Sequence, residues 1–130
     1  MSGTLTAGWL RKAQSGVNAD PAFRKLGSVD TNWAIKVGAS TYLIDFRGFS
    51  CHGVRKIAAR DLRDADFLVE MTPAAWNRFI DDRRKGEGPT LAELDTVEGV
   101  VRADNPRKKL DFLRYHLSVQ AFLDAGARAA

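Results

Sequence analysis

The segment that follows Asn105-Pro106 constrains the fold of this 130-residue chain more than any other. Its apolar residues recur at helical spacing, and at about 100° per residue they form two stripes on nearly opposite sides of one helix that runs to about Ala125. A helix with two apolar sides is buried on two sides. One side can cover a sheet, and the other then needs a second helix, another subunit or an apolar ligand. The first stripe comprises Leu110, Leu113 and Leu117, and the second comprises Phe112, Tyr115, Val119, Phe122 and Leu123.

Alternating apolar residues predict strands in the middle of the chain. Trp33, Ile35 and Val37 alternate with other residues at the period of a half-buried strand. The segment 41–47 alternates in the same way, and the short turn between the two segments predicts an antiparallel hairpin. Further strands are predicted at 49–57, 66–71 and 97–101.

Capping residues and prolines predict where the other helices begin. Thr4 or Thr6 can cap a first helix, which Gly16 is expected to end. Asp20-Pro21 and Thr72-Pro73 each place a cap before a proline, which is the order typical of helix starts.

The order of these segments predicts an α+β fold, in which a mainly antiparallel sheet of about five strands is covered on one face by helices. A chain of 130 residues fits one domain. We therefore expect a single domain over residues 1–130, with an N-terminal helix at 1–18 and a main body at 19–125.

The charge balance restricts the partners without naming one. Lys and Arg number 20 against 16 Asp and Glu, so the net charge is +4. No zinc-finger or helix-turn-helix pattern accompanies this charge, which disfavours nucleic acid. The short basic clusters Arg83-Arg84-Lys85 and Arg107-Lys108-Lys109 lie next to helix ends, where we expect cations to be favoured, and are interpreted as solvated faces. Such faces allow weak contact with an anionic membrane.

Few side chains are available for metal binding or nucleophilic chemistry. The single cysteine, Cys51, excludes an internal disulfide, which is typical of a protein from a reducing compartment. No apolar run is long enough to span a membrane, and together the two features predict a cytoplasmic protein. His52 is adjacent to Cys51 on a predicted strand, where neighbouring side chains point to opposite faces, and His116 is distant in sequence. These residues are therefore not expected to supply the three or four convergent ligands that a zinc site needs. We therefore predict no catalytic residue, no metal and no cofactor.

From about Ala19 to about Ala125, the chain resembles the sterol-carrier-protein family of small α+β lipid-binding domains. The resemblance implies a mainly antiparallel sheet covered by helices, with an apolar tunnel between them. It also implies carriage of sterols, fatty acids or acyl-CoA without chemistry. The segments that carry it are 19–23, the hairpin 33–46, 64–71, Thr72-Pro73-Ala74-Ala75-Trp76 and 99–104.

The function predicted is non-enzymatic binding or carriage of an apolar small molecule of sterol, fatty acid or acyl-CoA type. Its cavity is expected between the sheet and the helices, because pockets for such ligands are mostly apolar. The predicted ligand-binding residues are Tyr42, Ile44 and Phe46 on the sheet, Trp76 and Phe79 on the middle helix, and Leu113 and Leu117 on the last helix.

Two other functions stay open at the level of sequence. One is a small isomerase or dehydratase on a cone-shaped α+β fold, in which Asp45 or Asp66 works with His52 or His116 as an acid–base pair. The other is an accessory subunit that uses the second stripe of the last helix as an interface, for example in a homodimer.

Overall fold

The computed structural model describes residues 5–129. Thr4, one of the two predicted caps, and the other terminal residues 1–3 and 130 lie outside that range. Along the chain the elements are α1 (Ala7–Ala19), α2 (Pro21–Lys25), β1 (Thr31–Val37), β2 (Ser40–Arg47), β3 (Ser50–Ile57), a 3-10 helix (Ala59–Asp64), β4 (Phe67–Met71), α3 (Pro73–Arg84), α4 (Leu91–Glu98), β5 (Val101–Arg102) and α5 (Pro106–Ala129).

The five strands form one sheet in the order β3-β2-β1-β4-β5. The predicted hairpin is confirmed, since β1 pairs antiparallel with β2 and Trp33 lies opposite Ile44. β1 and β4 run parallel, whereas the other neighbouring pairs are antiparallel. The predicted α+β class is therefore confirmed, with a mixed sheet that is mostly antiparallel.

The two faces of the sheet are covered differently. One face carries Trp33, Ile44 and Phe67 into the main core beneath the α-helices. The opposite face holds a smaller cluster around Ala34 and Leu43, which the 3-10 helix helps to cover. No local pattern in the sequence predicts this 3-10 helix.

The last helix buries the stripe that was predicted to face a partner. Phe112, Val119 and Phe122 have no exposed surface, and Leu123 is almost completely buried. Tyr115 is half-buried. The leucine stripe lies outside: Leu110, Leu113 and Leu117 are 60%, 55% and 60% exposed. The prediction of an interface on the Phe112 stripe is therefore wrong, because the larger aromatic groups of that stripe fill the space over the sheet.

Two predicted boundaries are also wrong. Gly16 does not end α1, which continues to Ala19. Gly16 instead allows α1 to approach α5, since a Cβ atom on it would lie 3.1 Å from that of Ala125. Val97 belongs to α4 and not to a strand, and α4 ends at Gly99 with φ of +65°. No helix within residues 5–129 is long and apolar enough to cross a membrane.

Candidate ligand-binding site

Five of the seven predicted ligand-binding residues lie in the main core. Tyr42, Ile44 and Phe46 alternate along β2 and point to the face that the α-helices cover, as the period of the strand predicts. Trp76 and Phe79 lie on the buried side of α3, with their rings 6.0 Å apart. The Trp76 Nε1 donates a hydrogen bond of 2.9 Å to the carbonyl oxygen of Lys36. This bond fixes α3 over the end of β1.

The other two predicted ligand-binding residues, Leu113 and Leu117, do not lie in the main core. Leu113 and Leu117 are more than half exposed on the side of α5 opposite the sheet. Whether any of the seven contacts a ligand stays a prediction.

Trp33 lies at the centre of the aromatic layer between the sheet and α5. Its ring is 5.7 Å from that of Phe46, 5.9 Å from that of Phe67 and 5.6 Å from that of Phe122. Phe67 in turn lies 5.4 Å from Phe112 of α5. The layer is closed by these side chains, each of which is at most 1% exposed.

The indole N–H of Trp33 has no hydrogen-bond acceptor among residues 5–129. The side chain is completely buried. Leaving a buried donor unpaired costs about 1–3 kcal/mol, so such atoms are rare in folded proteins. The Trp9 N–H is also unpaired in the described structure. Trp9 lies between α1 and α5, however, and is not part of the aromatic layer around Trp33.

Two open clefts border on residues of this layer, and a third lies at the surface without contacting it. One of about 150 Å³ lies between the 3-10 helix and β5 and borders on Phe67. Another, of about 310 Å³, borders on Phe46 and is otherwise lined mainly by polar side chains such as Asp30, Asp45 and Arg47. A cleft of about 510 Å³ lies near the ends of β1 and β4, beside Lys36 and Glu70. None of the three is lined by Trp33.

The acid–base pairs of the enzyme alternative are not assembled in the described residues. Asp66 accepts hydrogen bonds from the Thr31 hydroxyl at 2.7 Å and from the Asn32 amide at 3.3 Å. Asp45 forms an ion pair with Arg47 at 2.8 Å.

The histidines lie elsewhere. His52 is exposed on β3, and His116 is half-buried beside Phe112, with ring centres 6.3 Å apart. Across the described range, no His shares a hydrogen bond with an Asp, and no cluster of three or more His, Cys, Asp or Glu side chains could hold a metal. Burial, together with the nearby Asp45 carboxylate, raises the pKa of the Cys51 thiol to about 12, which makes it a poor nucleophile.

Comparison of the structure with solved structures places the fold. Scans against protein-family models and against curated proteins give no match. The chain is similar to a crystal structure of sterol carrier protein 2, with 18% identity, a TM-score of 0.71 and coverage of 96% of this chain and 98% of that one. The fold is that of sterol carrier protein 2. The resemblance predicted from the sequence is thereby confirmed at the level of fold.

Two further structures have the same sterol-carrier fold. A solution structure of the conserved hypothetical protein TT1886 from Thermus thermophilus, described as possibly a sterol carrier protein, is 19% identical. It has a TM-score of 0.71, over 100% of this chain and 93% of that one. A UbiJ-SCP2 ubiquinone synthesis protein is 18% identical, with a TM-score of 0.52 over 92% of this chain and 89% of that one.

Within this sterol-carrier fold, Trp33 is the residue that sequence reasoning missed as a site candidate. Its position in the β1 alternation predicts burial. Whether its N–H finds an acceptor depends on which side chains from β2, β4 and α5 surround the indole. These come from distant segments, so a local sequence pattern does not predict them.

Proposed function

We propose that this protein binds and carries an apolar small molecule bearing an oxygen acceptor, between the core face of the sheet and α5. The sterol-carrier fold is the observation that carries this proposal, and the unpaired Trp33 N–H supports a ligand with an oxygen acceptor. A hydroxyl or carbonyl oxygen of the ligand would accept that hydrogen bond. The ligand class is that of sterols, fatty acids or acyl-CoA, and the proposal involves no covalent chemistry.

The binding energy in this proposal comes from desolvation. Tyr42, Ile44 and Phe46 would contact the ligand from the sheet, and Trp76 and Phe79 would contact it from α3. Each Å² of apolar ligand surface removed from water contributes roughly 25 cal/mol. The Trp33 N–H adds orientation, because it has no acceptor within residues 5–129 and lies between the sheet and α5.

The first half of α5 offers a route by which a ligand could enter the closed layer. Between Pro106 and Leu117, only Phe112 is buried. Lys109 adds a hydrogen bond of 2.8 Å to the Val101 carbonyl oxygen and an ion pair of 2.7 Å with Asp95. A segment with so few buried apolar contacts opens at low free-energy cost. We infer that this half of α5 moves away from Phe67 to admit the ligand.

The test is a binding titration with a panel of ligands. The panel contains a fluorescent fatty acid, a fluorescent sterol, an acyl-CoA and a polyprenyl quinone, the last because one structural neighbour is a ubiquinone synthesis protein. We expect saturable binding of at least one member at micromolar concentrations. Absence of binding by every member to the folded protein would contradict the proposal.

The variant Trp33→Phe tests the hydrogen bond itself. One hydrogen bond contributes about 0.5–1.5 kcal/mol, so the affinity for an oxygen-bearing ligand should fall roughly two- to tenfold. Affinity for the matching hydrocarbon should not fall. Trp9→Phe is the control, because the Trp9 N–H is also unpaired but lies between α1 and α5, outside the proposed site, so its loss should leave the ratio of the two affinities unchanged.

A further inference from the structure

The outer side of α5 carries an exposed line of leucines. Leu110, Leu113 and Leu117 follow one another at helical spacing, are 55–60% exposed, and point away from the sheet. We call these three residues the leucine ridge. A row of large apolar side chains in water is costly and typically marks an interaction surface.

Positive charge flanks the leucine ridge. At about 100° per residue, Arg107 and Arg114 lie within about 90° of the ridge on one side. Lys109 lies within about 90° on the other side, but its charge is paired with Asp95 at 2.7 Å. Arg114 and Arg107 are exposed and have no ion-pair partner in the described part of the chain. Asp111, the acid of this half of α5, lies farther round the helix and is half-buried.

The charges at the start of α5 do not serve the stability of the helix. Arg107, Lys108 and Lys109 lie in its first turn, which contains no acidic residue. The N-terminus of a helix carries the positive end of its dipole and therefore disfavours cations. The interpretation of this cluster as cations favoured by a helix end is thus wrong. Asp104 and Asp95 offset Lys108 and Lys109 in part.

We propose that the leucine ridge and its flanking arginines form a docking surface for an anionic lipid bilayer. An amphipathic helix lies in the plane of a bilayer when leucines enter the acyl region and basic residues meet anionic headgroups. Arg107 and Arg114 are long enough to extend their charges to the headgroups while the leucines insert.

A second copy of the chain fits this surface less well. A two-fold dimer places the same face against itself, which would bring the arginines of both copies together without an acid on that face. Three leucines also supply far less than the roughly 800 Å² per partner that a stable interface buries. The charge therefore favours anionic lipid.

Docking would also help the ligand to pass between the bilayer and the protein, and this step rests on the proposed function. The ridge lies on the same half of α5 that carries Phe112, the residue that packs against Phe67. A bilayer that holds the ridge would lie next to the segment inferred to open. An apolar ligand could then pass between lipid and protein without crossing water.

Co-sedimentation with vesicles tests the docking surface. We expect binding to phosphatidylcholine vesicles that contain about 30% phosphatidylglycerol, little binding to pure phosphatidylcholine, and weaker binding as salt is raised. The double variant Leu113→Gln/Leu117→Gln should lower the partition coefficient by at least about tenfold. Arg107→Glu/Arg114→Glu should lower it by a similar factor or more. Val97→Gln on α4 is the control, since it removes an 81% exposed apolar side chain that is not part of the leucine ridge.

Three results would overturn the docking proposal. The first is that the ridge variants bind vesicles as strongly as the wild type, and the second is that the wild type binds neutral and anionic vesicles equally. The third is that light scattering shows a wild-type dimer and a monomer for the leucine variant. The ligand titration separates this proposal from the proposed function. Ligand binding without vesicle binding refutes the docking surface alone, and vesicle binding without ligand binding refutes the carrier function alone.

Discussion

Gly126 of α5 lies directly against the indole of Trp9. A Cβ atom on Gly126 would lie 2.6 Å from the Trp9 Cη2 atom and 2.7 Å from Cζ2, which is closer than real Cβ contacts allow. Trp9 is buried between α1 and α5 and cannot rotate away freely. We therefore expect Gly126→Ala to lower the free energy of unfolding by about 1–2 kcal/mol, since overpacking outweighs the gain in helix propensity. Urea unfolding followed by circular dichroism measures this change.

Gly8→Ala on α1 is the matched control for that variant. Gly8 is exposed, and a Cβ atom there would meet only the Thr6 hydroxyl oxygen, at 3.7 Å. Because Gly8 lies in the first turn of α1, the same substitution should here leave the free energy of unfolding unchanged or raise it by at most about 0.5 kcal/mol. A stabilising effect at both positions would show that α1 and α5 do not approach as closely as the structure describes.

The ion pair between Arg83 and Asp124 joins α3 to α5. The Arg83 Nε and Nη2 atoms donate to the two carboxylate oxygens at 2.9 Å and 3.3 Å, and both side chains are less than one-fifth exposed. Two-point contacts of this kind are stronger than single exposed pairs. Asp124→Asn should lower the free energy of unfolding by about 1–3 kcal/mol, because the Arg83 charge loses its partner.

The pair Asp81–Arg84 provides the comparison within α3. Its side chains are 34% and 41% exposed, and a single contact of 3.2 Å joins them. Asp81→Asn should therefore change the free energy of unfolding by less than about 0.5 kcal/mol. Equal losses at Asp81 and Asp124 would contradict the role assigned to Arg83.

The hairpin and the start of α3 could be predicted because local residues determine them. Alternation around Trp33 in β1 and around Ile44 in β2 places each side chain on the apolar face of its own strand, independently of distant segments. The short turn then brings the two side chains opposite each other. The cap-and-proline pair before α3 likewise works within a few residues, and Thr72 does accept the Ala75 N–H.

The orientation of α5 could not be predicted from its own sequence. Both of its stripes have helical spacing, so the period is the same for either choice. The outcome depends on contacts from distant segments, in which Phe112 meets Phe67 at 5.4 Å and Phe122 meets Trp33 at 5.6 Å. For the same reason Leu113 was predicted to line the cavity beside the sheet, whereas its side chain lies on the outer side of α5.

Glu93 should make the stability contributed by the start of α4 depend on pH. Its carboxylate accepts hydrogen bonds from the Thr90 N–H at 2.9 Å and hydroxyl at 3.1 Å, and these bonds lower the pKa of Glu93 below its ordinary value of 4.5. A lowered pKa in the folded state stabilises the fold above the unfolded pKa, and this contribution is lost as the pH falls through the folded pKa.

The variant Glu93→Ala measures that contribution. It should be less stable than the wild type at pH 7, and the difference should shrink as the pH falls below 4.5. Glu93→Gln keeps an oxygen acceptor without a titrating group, so its stability relative to Glu93→Ala should not follow that pH dependence. Thermal melts of the three proteins at pH 7 and at acid pH check both expectations, and a difference that grows on acidification would contradict them.

Cys51 should react slowly with a thiol reagent in the folded protein. Burial raises its pKa to about 12, and the Asn18 amide holds the Cys51 backbone with bonds of 2.8 Å and 2.9 Å. Labelling with Ellman's reagent at neutral pH should therefore follow local opening of β3. Asn18→Ala removes both bonds and should speed labelling by roughly tenfold, whereas Gln14→Ala removes a single bond of 3.1 Å and should have a smaller effect. Labelling of the folded wild type as fast as that of the urea-unfolded chain would refute the burial of this thiol.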